Sequence, residues 1–130
     1  MGIGIKELMA RAEAQVDQVA AKDAQALLTD DSVAFVDLRD VRELERDGML
    51  PGARHAPRGM LEFWIDPESP YHKPYFAEDK TFVFYCASGW RSLLATQVAQ
   101  EMGLKAVNLT GGFGAWKAAG LSVAQRKPKA

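Results

Sequence analysis

The chain has 130 residues, of which 48% are hydrophobic, 25% are charged and 9% are aromatic, and its formal net charge is -1. This length fits one domain with a core of its own, and the near-neutral charge argues against a basic surface for nucleic acid. The single cysteine excludes an internal disulfide framework and a zinc site built from several cysteines.

The N-terminal segment Ile3–Val19 has apolar residues at three- and four-residue steps, which predicts an amphipathic helix over much of its length. Lys6, Glu7 and Arg11 interrupt the apolar core that a signal peptide requires. No later stretch reaches the roughly 18 apolar residues of a membrane span. We therefore expect a cytoplasmic protein that makes no membrane contact.

Two helices and a strand are predicted next. A short helix covers Lys22–Leu28, and the mostly apolar run Val33–Leu38 predicts a strand that is buried on both faces. Asp40 and Glu43 have the spacing of a capping box, which predicts a short helix that stops near Gly48.

The middle of the chain alternates between extended and helical segments. An extended piece at Arg54–Ala56 and a helical segment at Met60–Trp64 precede the proline-containing stretch 66–76, which either walls a site or forms a surface loop. The β-branched and aromatic run Thr81–Cys86 predicts a strand, and Ser92–Met102 predicts a helix.

The last predicted elements are a strand at Ala106–Leu109, a helix near Phe113–Ala119 and a frayed basic tail at Gln125–Ala130. Strands that alternate with helices predict an α/β fold, in which a parallel sheet is covered by helices on both faces.

Two predicted strand ends carry reactive side chains. Asp37 and Arg39 lie at one, and Cys86 and Arg91 lie at the other. Ligands of open parallel sheets bind outside the carboxyl ends of the strands. The fold rule and the side-chain chemistry therefore predict the same site.

Cys86 ends a strand and is followed directly by a loop and a helix. A free cysteine is most often a small buried hydrophobic residue. Here, however, loop amides at a helix N-terminus, a flexible Gly89 and the cation of Arg91 all favour a thiolate. The amides of five residues would form an anion cradle around the sulfur: Ala87, Ser88, Gly89, Trp90 and Arg91. Such a loop suits sulfur transfer through a persulfide or phosphoryl transfer through a thiophosphate.

Four segments in this order resemble the rhodanese (thiosulfate sulfurtransferase) family. Cys86–Arg91 resembles its C-x-x-G-x-R loop, and the other three resemble its V-D-x-R, I-P-G-A-x-x-x-P and G-G-x-x-x-W segments: Val36–Arg39, Leu50–Pro57 and Gly111–Trp116. The resemblance extends from about Val19 to Gly120. It implies a rhodanese-like three-layer α/β/α fold with a parallel sheet of about five strands.

On this resemblance, residues 18–122 form the rhodanese-like domain, residues 1–17 form an N-terminal helical extension and residues 123–130 form a basic tail. The extension either packs on the sheet or mediates self-association.

The resemblance also implies an activity. Cys86 would take a sulfane sulfur from thiosulfate or a persulfide donor, hold it as a persulfide within the cradle, and pass it to cyanide or a thiol. The acceptor could also be a protein. The resemblance implies no metal, no organic cofactor and no nucleic acid.

Three rival functions remain open. Phosphatases of this fold have a C-x5-R loop, and the loop from Cys86 to Arg91 is one residue shorter. Domains of this family without the cysteine only bind partners, and an inert cysteine would leave a structural domain.

The supporting residues have alternative roles. Arg91 either pairs with an acidic residue behind the loop or contacts an anionic donor. Asp37 and Arg39 are predicted to brace neighbouring loops rather than to contact substrate, which is the alternative role. Trp90 replaces the small or basic residue of many relatives, which disfavours thiosulfate as the donor, or it forms part of the wall of the site.

Overall fold

The chain forms one five-stranded sheet, and a computed structural model describes residues 2–127. In chain order the strands are β1 (Asp17–Val19), β2 (Val33–Asp37), β3 (Arg54–His55), β4 (Thr81–Tyr85) and β5 (Lys105–Leu109). All neighbouring strands are parallel, in the order β1-β5-β4-β2-β3. The predicted parallel α/β sheet of about five strands is therefore confirmed.

Helices cover both faces of this sheet. They are α1 (Ile5–Gln15), α2 (Ala21–Ala24), α3 (Val41–Asp47), α4 (Leu61–Ile65), α5 (Trp90–Glu101) and α6 (Gly112–Ala118). Short 3-10 helices cover Gln25–Thr29, Arg58–Met60 and Pro74–Ala77. Among the residues that the structure describes, no helix is both long enough and apolar enough to cross a membrane.

Alternate residues of the central strands fill two separate cores. Phe82 and Phe84 of β4 pack with residues of α4 and α5 on one face. Val83 and Tyr85 pack with residues of α2 and α6 on the other. Because side chains alternate along a strand, a strand covered on both faces is apolar throughout. The predicted burial of the central strands is therefore observed.

The predicted helix over much of Ile3–Val19 is observed, but it ends before the last residues of that segment. Helix α1 stops at Gln15, Val16 is extended, and Asp17–Val19 forms the edge strand β1. This strand pairs with Val107–Leu109 of β5. Three residues are too few to show the alternation of a strand, so the sequence pattern does not indicate β1.

Other boundaries differ by a few residues. The predicted helix Lys22–Leu28 divides into α2 and a 3-10 helix. Helix α5 begins at Trp90, two residues before the predicted Ser92, so part of the predicted loop is its first turn. Met49 and Ala124 form an antiparallel bridge. The prediction of a frayed tail includes residues 128–130, which lie outside the described residues.

Helix α1 packs on α5 rather than directly on the sheet. Ala12 and Val16 form a small core with Leu93 of α5. The amide of Gln97 also donates a hydrogen bond to Gln15 at 2.6 Å. The N-terminal helix is therefore fixed against the helix that begins at the cysteine loop.

Candidate active site

The structure places the C-terminal ends of β2 and β4 side by side. Asp37 is the last residue of β2, and Cys86 follows directly after β4. Asp37 is in register with Tyr85, the residue before Cys86. Both side chains therefore lie at the carboxyl edge of the sheet, where ligands bind in folds of this type.

The start of α6 holds the backbone of the cysteine loop. The N–H of Phe113 donates to the carbonyl oxygen of Cys86 at 2.8 Å, and the N–H of Gly114 donates to that of Ala87 at 2.9 Å. Gly112 has a φ of +59°, and a Cβ there would collide with the Cys86 carbonyl oxygen and lie 2.9 Å from that of Ala87. The approach of the two segments therefore requires glycine at this position.

Of the backbone N–H groups in the predicted anion cradle, that of Gly89 is hydrogen-bonded to the sulfur of Cys86. The side chain is buried, and the N–H of Gly89 donates to its Sγ at 3.2 Å. Gly89 has a φ of +95° and precedes the first residue of α5, Trp90. Sγ thus lies beside the N-terminus of a 12-residue helix, where the backbone N–H groups favour negative charge.

Ser92 connects the sulfur to a polar network. Its hydroxyl lies 3.5 Å from Sγ of Cys86 and 2.6 Å from Oδ1 of Asn108. The amide of Asn108 donates to Oε1 of Gln18 at 2.9 Å. Ser92 and Asn108 are both buried. A hydroxyl has one proton, so Ser92 can donate it either to a thiolate or to Asn108.

These donors affect the pKa of the Cys86 thiol. Burial raises the pKa of Cys86, but hydrogen bonds from the hydroxyl and N–H of Ser92 and from the N–H groups of Gly89 and Ser88 lower it. The hydrogen bonds outweigh burial, so the pKa lies below the ordinary value of a thiol. The thiolate, which is the nucleophilic form, is therefore favoured.

Arg91 pairs with an acidic residue of α3. Its Nη1 and Nη2 each donate to one carboxylate oxygen of Glu43 at 3.1 Å. Glu43 also accepts the N–H of Asp40 in the predicted capping box. The hydrogen bonds and the charge of Arg91 lower the pKa of Glu43 below its ordinary value. Two roles were open for Arg91, and the structure shows one of them: pairing with an acidic residue.

Asp37 and Arg39 form a buried ion pair. The Arg39 Nη2 lies 2.8 Å from Oδ2 of Asp37 and 2.7 Å from the carbonyl oxygen of Gly48. The guanidinium carbon lies 4.3 Å from the ring centroid of Phe113. The pair therefore connects the end of β2 with the end of α3 and the start of α6. This contact pattern fits the predicted bracing role.

Trp90 does not fold over the sulfur. Its side chain is 68% exposed and lines a groove of about 440 Å³ together with residues of α1. The tryptophan therefore forms part of a wall beside the cradle, while its backbone belongs to the first turn of α5.

Sequence reasoning did not assign three residues to the site: Ser92, Asn108 and the Glu43 carboxylate that binds Arg91. Ser92 stood one residue beyond Arg91 in the predicted helix, and its position in the first helical turn could have indicated contact with the loop. Asn108 was a polar residue in an otherwise apolar predicted strand. Such a buried polar residue generally has a partner.

The site has few groups that could hold a metal. Within residues 2–127, no group of three or more His, Cys, Asp or Glu side chains is arranged to bind a metal ion.

The central feature of the site is a buried cysteine with a lowered pKa, which follows a central parallel strand and precedes a short loop and a helix. A family model for the rhodanese-like domain matches residues 20–119. The chain belongs to this family, which confirms the resemblance of the four sequence segments.

Three relatives illustrate the range of the family. The human thiosulfate:glutathione sulfurtransferase is 30% identical over 105 residues, which cover 75% of this chain and 90% of that protein. A solved structure from Rhodopseudomonas palustris, of unknown function and described as "Possible Tyrosine Phosphatase", is 52% identical, covers 95% of this chain and 96% of that one, and has a TM-score of 0.91. The polysulfide-sulfur transferase homodimer of Wolinella succinogenes is 28% identical, covers 93% and 87%, and has a TM-score of 0.70.

Proposed function

We propose that the protein is a sulfurtransferase that carries a sulfane sulfur as a persulfide on Cys86. The observation that carries this proposal is the set of donors around Sγ, which includes the N–H of Gly89 and the hydroxyl of Ser92. These donors favour a thiolate before the reaction. Membership of the rhodanese-like family and the sulfurtransferase among its relatives support the same chemistry.

The first step is a displacement at sulfur. The Cys86 thiolate attacks the outer sulfur of thiosulfate or of an organic persulfide, and a new S–S bond forms at Sγ. The S–S bond of the donor breaks, and its electron pair leaves with sulfite or with an organic thiolate. The enzyme then carries one additional sulfur as a persulfide anion.

The second step reverses this chemistry with another nucleophile. Cyanide, a low-molecular-weight thiolate or a protein thiolate attacks the outer sulfur, and the Cys86 thiolate leaves. The first step exchanges one S–S bond for another. The second step forms a new S–S bond with a thiolate or a C–S bond with cyanide. Neither step needs a metal or an organic cofactor. Between the steps, the amides of Ala87–Arg91 would stabilise the negative charge on the outer sulfur.

Asp37, Arg39 and Arg91 act as positioning residues in this proposal. Arg39 holds the end of α3 through Gly48, and Arg91 binds α3 through Glu43. Both contacts fix elements around the cysteine loop. None of these three residues is assigned a step in which a bond forms or breaks.

Intact-mass measurement after incubation with thiosulfate, and separately with an organic persulfide, tests the mechanism. We expect wild type to gain the mass of one sulfur atom, which cyanide removes. Cys86→Ser should gain none. Absence of the adduct with both donors, together with resistance of folded Cys86 to alkylation, would reject sulfur transfer and favour an inert cysteine in an interaction domain.

Phosphatase activity is the second candidate, because the Rhodopseudomonas palustris relative bears that description. The loop from Cys86 to Arg91 has six residues, and the Arg91 guanidinium that would bind a phosphoryl group is paired with Glu43. Both features favour sulfur transfer. Cys86-dependent hydrolysis of an aryl phosphate without any sulfur adduct would reverse this preference.

A further inference from the structure

An apolar groove adjoins the cysteine loop. It has a volume of about 440 Å³ and is lined by five residues of α1 and the first residue of α5: Ile5, Lys6, Met9, Ala10, Glu13 and Trp90. The side chains of Ile5 and Trp90 are 59% and 68% exposed. Two large apolar side chains, one from α1 and one from α5, are therefore exposed to solvent at the same groove. The volume of the groove suits part of a small organic molecule.

The groove and the anion cradle share one residue. Trp90 lines the groove, and the N–H of Gly89, directly before it, donates to Sγ of Cys86 at 3.2 Å. Helix α1 is held in place beside α5 by the Ala12, Val16 and Leu93 cluster. A molecule in the groove would thus be bound next to the loop that holds the reacting sulfur.

The charges around the groove match an uncharged organic group better than an inorganic anion. Lys6 and Glu13 have opposite charges and lie along the same helix. In the cradle, Arg91 is the one charged residue among residues 87–91, and both of its terminal nitrogens bind Glu43. An inorganic dianion such as thiosulfate therefore meets little unpaired positive charge, whereas an apolar group can be removed from water.

We propose that this groove binds the organic group of the sulfur acceptor, an uncharged low-molecular-weight thiol with an apolar body, and of the corresponding persulfide donor. This inference rests on the proposed sulfurtransferase function and defines its substrate class. Donor and acceptor share one subsite because the leaving thiolate of R–S–SH is the attacking thiolate of R–SH. In the acceptor step, the S–S bond of the Cys86 persulfide breaks, the new S–S bond forms on the acceptor, and the electron pair returns to Sγ.

A series of linear alkanethiols tests the proposal. Cys86 is first loaded with sulfur, and the rate of persulfide loss to ethanethiol, propanethiol and butanethiol is followed by intact mass. The thiol pKa hardly changes along this series, so rate differences report burial of the chain. We expect the second-order rate constant to rise by about two- to fourfold per methylene. Cyanide, which has no organic group, is the reference acceptor.

Two variants and one control locate the effect. Ile5→Ala and Trp90→Ala should flatten the dependence on chain length, lowering the butanethiol rate relative to the cyanide rate by about three- to tenfold. Leu8→Ala is the matched control, because Leu8 is an exposed apolar residue of the same helix that does not line the groove. It should retain the wild-type dependence.

The outcomes separate this inference from the function on which it rests. If Cys86 loads and cyanide unloads it, but all three thiols react at the same rate, the groove assignment is overturned and the sulfurtransferase function stands. If no persulfide forms, both fail. A dimer seen by sedimentation in wild type and lost in Ile5→Ala would assign the groove to a second copy of the chain and would also overturn the inference.

Discussion

The Arg91 guanidinium binds both carboxylate oxygens of Glu43, with two N–O distances of 3.1 Å. The same carboxylate accepts the N–H of Asp40 and completes the capping box of α3. Glu43 therefore accepts hydrogen bonds both from the start of α3 and from a side chain in the first turn of α5. Any substitution there changes the cysteine loop and the neighbouring helix at once.

Glu43→Gln should lower the free energy of unfolding by about 1–2 kcal/mol at pH 7, because it weakens a helix cap and removes a partly exposed ion pair. The pKa of Glu43 is lowered in the folded protein, so this contribution is present above the ordinary value of 4.5 and is lost as pH falls through the folded pKa. Urea unfolding between pH 7 and pH 3 measures it. Glu45→Gln on the same helix is the control, and a difference from wild type that does not shrink in acid would contradict the ion-pair explanation.

Ser92→Ala should raise the pKa of Cys86, because the variant loses a hydroxyl that lowers it. The pH profile of iodoacetamide alkylation would then move to higher pH, and the rate at pH 7 should fall by about five- to tenfold. Ser88→Ala is the matched control, since its backbone N–H remains and its side chain is exposed. Equal profiles for Ser92→Ala and wild type would show that the backbone N–H groups alone hold the thiolate.

Gly112→Ala should disrupt the cysteine loop, because the new methyl group would collide with the carbonyl oxygen of Cys86. We expect a loss of about 2–5 kcal/mol in the free energy of unfolding and at least a tenfold slower sulfur loading. Gly120→Ala provides a control: Gly120 has a φ of +74° but no heavy atom within 4 Å of the added Cβ. Its cost should be about 1 kcal/mol. Similar costs for both variants would mean that backbone conformation, and not contact with the loop, dominates.

Asp37→Asn should lower the free energy of unfolding by about 3–5 kcal/mol, because it leaves the buried guanidinium of Arg39 without its counter-ion. The side chains of this pair are 0% and 1% exposed. Asp47→Asn removes the partner of Arg46 in a largely exposed pair and should change the free energy by less than about 1 kcal/mol. Chemical denaturation compares the two, and a cost for Asp37→Asn no greater than that of the control would exclude a bracing role.

The central elements could be predicted from the sequence because each has a strong local signal. The run Thr81–Cys86 is rich in β-branched and aromatic residues, and Gly89 marks the turn before a helix. The capping box at Asp40 and Glu43 was likewise predicted and is observed. In each case the residues that carry the signal lie within the element or at its end. The tertiary contacts of the folded protein then agree with the local preference.

The remaining features depend on contacts between distant residues. Strand β1 has three residues and exists because Asp17–Val19 pairs with β5, about ninety residues later. Glu43 has a local role in its cap, but its pairing with Arg91 joins residues 48 positions apart. The hydroxyl of Ser92 lies between Cys86 and Asn108, and Asn108 is 16 residues further along the chain. Local sequence patterns do not specify which distant residues meet in this way.

The strand order has a consequence for synthesis of the protein. The first strand lies beside the last, and Gln18 binds Asn108 across that pair. A ribosome completes Cys86 and the start of α5 before it makes β5, which supplies Asn108 as the partner of Ser92. The polar network beside Cys86 can therefore be completed only after β5, which lies late in the chain, has been synthesised.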